Sequence, residues 1–107
     1  MKPLDEPRPR VLYARLAQAS VAEQALVLRF LLGKRTAALG RASPHLDLFL
    51  GELQIELPGA IELLGDLRFK LGPALHGEVL RWAHGEVEAG PLYQRVLDRF
   101  RTLFCAD

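Results

Sequence analysis

Apolar residues recur along this chain with the period of a helix. Ser20-Val21-Ala22-Glu23 has the form of a capping box, in which the serine hydroxyl accepts from the Glu23 N–H and the glutamate reaches back to the Ser20 N–H. Behind it, Ala22, Leu26, Phe30 and Gly33 lie along one stripe with Val27 and Leu31 beside it. This predicts a long helix that runs to about Leu39 and stops at Gly40. Ahead of it, Leu12, Leu16 and Ala19 share a face over 10–19, a shorter helix. Residues 1–9 hold Pro3, Pro7 and Pro9 among charges and read as a flexible arm before a single helical domain over 10–107.

Proline and glycine punctuate the rest. Pro44, Pro58, Pro73 and Pro91 each open a segment, and Gly40, Gly72 and Gly90 close the segments before three of them. Proline suits the first helical turn, where its missing N–H would be unpaired anyway, and glycine suits the residue just past the end. Helices are therefore expected at 44–57, 59–71, 73–88 and 91–105. Ser43 caps the first, whose stripe is Leu46, Phe49, Leu50, Leu53 and Leu57. The others carry Ile61, Leu64, Leu67 and Leu71; Leu75, Val79, Trp82 and Ala83; and Leu92, Val96, Phe100, Leu103 and Phe104. The expected fold is all-α, a bundle of five to six helices with helical-hairpin packing.

One stretch supports a rival reading. Over 52–71, Leu53, Ile55 and Leu57, then Ile61 and Leu63, then Leu67, Phe69 and Leu71 alternate strictly, with Pro58-Gly59 and Gly65-Asp66 between them. That is the pattern of a three-stranded antiparallel meander, which would make the fold α+β. Helix is favoured because the apolar positions are mostly leucine and the polar ones Glu, Gln, Lys and Arg, all good helix formers.

Several apolar residues lie off the main stripes: Leu48, Ile55, Leu63, Phe69 and Leu80. A chain of 107 residues cannot bury all of them, and clustered exposed apolar side chains mark interaction sites. A partner helix would lay its i, i+3, i+4 and i+7 anchors on such a surface.

Candidate chemistry is thin. Ser20 and Ser43 sit where caps are expected, and Cys105 stands near the end of the sequence with no second cysteine. His76-Gly77-Glu78-Val79 recurs as His84-Gly85-Glu86-Val87. Eight residues set the two rings two turns apart and offset, so they do not converge on a metal. Neither a P-loop nor a GxGxxG is present. An enzyme, a metal site and a cofactor are not expected. No apolar run approaches the ~20 residues that span a bilayer, and the opening MKPLDEPRPR is too charged for a signal peptide. With one cysteine, the expected location is cytoplasmic.

Net charge is +1, but unevenly spread. Residues 1–45 carry eight basic groups against three acids, and residues 46–89 carry eight acids against Arg68, Lys70 and Arg81. The simplest account is that the halves face each other within the fold or across a dimer. The basic cluster Lys34, Arg35 and Arg41 admits a second class of function, a small nucleic-acid-associated regulator. The near-zero total charge and the core positions of the aromatics argue against it.

Ile61 to Ala83 reads Ile-x-x-Leu-Gly-x-x-x-Phe-x-x-Gly-x-Ala-Leu and continues to Trp82-Ala83, which resembles a degenerate tetratricopeptide helix–turn–helix. Its aromatic, Phe69, falls one place late, and Gly77 stands where alanine is expected. Leu71-Gly72, Ala74-Leu75, Arg81, Ala83 and the proline-led last helix also resemble the end of the small helical chaperones that hold needle subunits in type III secretion. The resemblance implies a concave apolar groove that sequesters an amphipathic partner helix. The expected function is thus a non-enzymatic interaction module, an adaptor or chaperone acting on a protein partner or a second copy.

Overall fold

Residues 7–33 and 44–105 are described by a computed structural model, and six α-helices account for most of them. These are α1 (Arg8–Ala17), α2 (Val21–Leu31), α3 (Pro44–Glu56), α4 (Ala60–Phe69), α5 (Pro73–Ala83) and α6 (Ala89–Phe104). No strand occurs among the described residues, so the fold is an all-α bundle. The meander alternative over 52–71 is wrong. Leu53, Ala60, Leu64, Leu67 and Leu71 are buried, whereas Ile55 and Phe69, which a half-buried sheet face would have covered, point to solvent. Leucine among long polar side chains keeps its rotamer freedom in a helix, and helical spacing decides what is inside.

Helix α2 sits at the centre and packs against α3, α4, α5 and α6; α6 in turn packs against α1 and α5. One continuous core results, built on Leu12 and Leu16 of α1, Val27, Leu28 and Leu31 of α2, Phe49 and Leu53 of α3, Leu64 and Leu67 of α4, Val79 of α5 and Leu92, Val96, Leu97 and Phe100 of α6.

The capping box is present as expected. Ser20 Oγ accepts from Glu23 N at 3.2 Å, and Glu23 Oε1 accepts from Ser20 N at 3.1 Å. Two helix ends differ from expectation. Helix α2 stops at Leu31, because Gly33 turns the chain at φ +66° while Leu32 and Gly33 donate back three residues, to Arg29 and Phe30. A glycine at helical spacing ended the element instead of extending its stripe, since φ > 0 costs it little. The expected helical residues 34–39, the Gly40 stop, the Ser43 cap and the Lys34, Arg35 and Arg41 cluster lie outside the described residues.

Helix α5 likewise ends at Ala83 rather than 88. Gly85 stands at φ +79°, its N–H donates to the Trp82 carbonyl, and Glu86 N–H donates to the Arg81 carbonyl at 2.8 Å. That pair of bonds is the Schellman termination. At the other end of the chain, α1 begins earlier than the arm reading allows. Pro7 is its N-cap and Pro9 lies in the first turn, where proline's fixed φ is already helical. Gly90, expected to close the segment before, falls inside α6, and Pro91, expected to open that helix, is its third residue.

Candidate interaction surface

The repeated His-Gly-Glu-Val is structural in both copies. In the first, Val79 is buried on α5 and Glu78 faces Arg81 at 3.4 Å and Arg95 at 3.6 Å. In the second, Gly85 terminates the helix and Glu86 faces Arg81 at 3.3 Å. The two glutamates therefore both pair with one arginine near the helix end. Among the described residues, no three of His, Cys, Asp and Glu come together as metal ligands would. Cys105 follows α6, half-buried beside Arg10, Tyr13 and Arg101.

Other polar groups fasten helices. Arg15 is the main knot: its guanidinium meets both Glu23 oxygens at 3.1 and 3.3 Å, and Nε donates to Glu56 at 3.3 Å. The bonds to Arg15 hold the Glu23 carboxyl below the usual glutamate range, and those to Glu23 raise Arg15. Arg15 to Glu56 joins the basic to the acidic half of the chain within the fold. Gln54 Oε1 accepts from the Ile61 N–H at 3.1 Å and so satisfies a donor at the start of α4. Tyr93, buried on α6, donates its hydroxyl to the Leu16 carbonyl at 2.7 Å; burial pushes its phenol well above the ordinary range. Arg99 donates to the Lys70 carbonyl at 3.0 Å.

The five off-stripe apolar residues divide. Leu63 and Leu80 are half-buried and pack against the core, so they do not belong to an open surface. Leu48, Ile55 and Phe69 are 63%, 83% and 81% exposed. Val11 and Val21 are also exposed, on α1 and α2. Helix α3 is apolar on two sides: Leu46, Phe49 and Leu53 face the core, and Leu48 and Ile55 face out. Leu48, Gly51, Glu52 and Ile55 stand at i, i+3, i+4 and i+7, all exposed. A side chain built on Gly51 would meet nothing within 4 Å. Among the described residues, the exposed carboxylates Asp47 and Glu52 pair with no cation.

Phe69 closes α4 beside an arrangement that the sequence reading missed. The Arg68 guanidinium lies 4.9 Å from the centroid of the Phe30 ring and 5.4 Å from that of Phe69. Its stem passes so close to Gly33 that a Cβ there would sit 3.3 Å from Arg68 Cδ. Among the described residues, no carboxylate or carbonyl accepts from this guanidinium. Beside it is a cavity of about 290 Å³ lined by Leu31, Leu32, Gly33, Arg68, Phe69 and His76. The one local signal was the adjacency of Arg68 and Phe69 at a helix end; Phe30 arrives from α2 and Gly33 from the turn after it, 35 or more residues earlier.

A larger cavity of about 480 Å³ lies where the turn at Leu71–Gly72 and the start of α5 meet Arg95, Asp98, Arg99 and Thr102. Its arginines are engaged by Glu78 and the Lys70 carbonyl. Among the described residues no helix is long and apolar enough to cross a membrane. Compared with known proteins, the chain matches no family model, no curated protein and no solved structure.

Proposed function

We propose that this protein is a non-enzymatic protein–protein interaction module, a small helical adaptor or chaperone whose outer α3 surface is covered by a partner helix or a second copy. The observation that carries this reading is the second apolar side of α3. Leu46, Phe49 and Leu53 already bury that helix against the core, so Leu48 and Ile55 contribute little to folding. Each such side chain gains roughly 1.5–3 kcal/mol on full burial, which a partner would supply. The resemblance of residues 61–105 to secretion chaperones points the same way. A single cysteine fits work in the cytoplasm.

Site-specific photo-crosslinking in cells tests the reading. A photoreactive residue at Ile55 should yield a discrete protein adduct, and the same residue at the exposed Gln94 of α6 should not. No adduct at Ile55, or equal labelling at both positions, would remove the case for an interaction surface on α3.

A further inference from the structure

We infer that the partner of the α3 surface is a second copy of this chain, which seats its Phe69 ring in the hole formed by Leu48, Gly51, Glu52 and Ile55 and pairs its Arg68 with Glu52. The inference rests on the interaction-module reading and names the occupant.

The geometry is that of a knob in a hole. Four residues at i, i+3, i+4 and i+7 frame a recess on a helix surface, and a side chain from a facing helix fills it. Here the recess has apolar ends at Leu48 and Ile55, two turns or about 10 Å apart. Its floor is opened by Gly51, which has no side chain to obstruct it. An aromatic ring suits that shape. Among the described residues, Phe69 is the one aromatic among the exposed large hydrophobics, and it stands at the end of its helix, where it can project.

Charge supplies the register. Among the described residues, Glu52, which forms one wall of the recess, pairs with no cation, and Arg68, adjacent to the knob, pairs with no anion. The guanidinium is already held between Phe30 and Phe69 and along Gly33, so little freedom is lost when a carboxylate docks. Arginine also presents paired donors that match a carboxylate in two bonds. Asp47, beside Leu48, adds a second acid at the same surface.

A second copy is favoured over another chain because both halves of the match occur on one molecule. Helix α4 follows α3 after Leu57–Gly59 and packs against it, so each copy carries hole and knob on neighbouring helices. A two-fold arrangement makes each contact twice, the commonest way for identical chains to close. It would cover Leu48, Ile55 and Phe69 together, with the acid-rich helix of one copy against the arginine of the other.

Sedimentation equilibrium on the purified full chain tests this, with Arg68→Glu, Glu52→Lys, Phe69→Ser and the double variant Arg68→Glu/Glu52→Lys. Circular dichroism shows whether each variant remains folded. The wild-type chain should dimerise, each single variant should weaken the dimer by about tenfold or more, and the double variant should recover most of the loss. A wild-type monomer at every concentration would overturn the proposal, as would charge reversals without effect or a double variant no tighter than the singles. If the purified chain is monomeric and Ile55 captures a different polypeptide in cells, the second-copy assignment falls and the module reading stands. If there is neither dimer nor adduct, both fall.

Discussion

Helices α6 and α3 are both rich in apolar residues, and they distribute them in opposite ways. Helix α6 buries Leu92, Tyr93, Val96, Leu97 and Phe100 along one side and presents Gln94, Arg95, Asp98, Arg101 and Thr102 to water. Its sequence is fully accounted for by the fold of one chain. Helix α3 buries Leu46, Phe49 and Leu53 and leaves Leu48 and Ile55 outside. An apolar side chain is thus buried on one side of α6 but found on two sides of α3, and only burial in the folded chain tells the two sides apart.

The largest effect that would break this contrast lies on α6. Phe100 is fully buried and its ring lies 5.0 Å from that of Phe104. Phe100→Ala should lower unfolding free energy by about 3–5 kcal/mol, the usual cost of a lost ring plus its cavity, as measured by urea titration. A loss below about 1 kcal/mol would mean that α6 is less essential to the core than its pattern implies.

A smaller change sharpens the same point. The Tyr93 hydroxyl joins α6 to the end of α1 through the Leu16 carbonyl, which also accepts from Ala19 N at 3.1 Å. Tyr93→Phe keeps the ring and leaves that carbonyl one partner. The expected cost is about 1 kcal/mol, with no change in self-association.

Much of this contrast was legible in the sequence, and the reason differs by region. The α6 stripe and the Ser20 capping box rest on local spacing, which survives folding unchanged. Leu48, Ile55 and Phe69 could be picked out as off-stripe positions, but so could Leu63 and Leu80, which pack against the core. A helical stripe marks one face per helix, and a residue just beyond that face is buried or exposed according to which helix lies alongside. The Arg68 stack was illegible because its two rings come from α2 and α4. Gly33 and Gly85 were misread for a simpler reason: their spacing suits a helix, and their φ > 0 is a property of the turn that follows.

The attachment of α3 offers a third and weaker test. Glu56 near its end and Glu23 on α2 share Arg15. The folded Glu23 carboxyl titrates below its unfolded value, so its stabilising contribution is present above the ordinary glutamate value of 4.5 and is lost as pH falls through the lower folded value. Both groups are partly exposed, which keeps the contribution under about 1 kcal/mol. Urea titrations at neutral and acid pH should show a decline that is smaller in Glu23→Gln. An equal decline in the variant would assign the acid sensitivity to other carboxylates.

The smallest expected effect on folding is the most informative about α3. Lysine in place of Ile55 would replace an 83% exposed side chain near the end of the helix. Lysine has the higher helix propensity, and a cation there complements the carbonyl end of the helix dipole. Unfolding free energy of the monomer should therefore stay within about 0.5 kcal/mol of wild type, while self-association measured on the same sample is lost. A folding loss of 2 kcal/mol or more would place Ile55 with Phe100 as a core residue, and the two sides of α3 would no longer have separate roles. Retained stability with lost association would show that the second apolar side of α3 serves recognition alone.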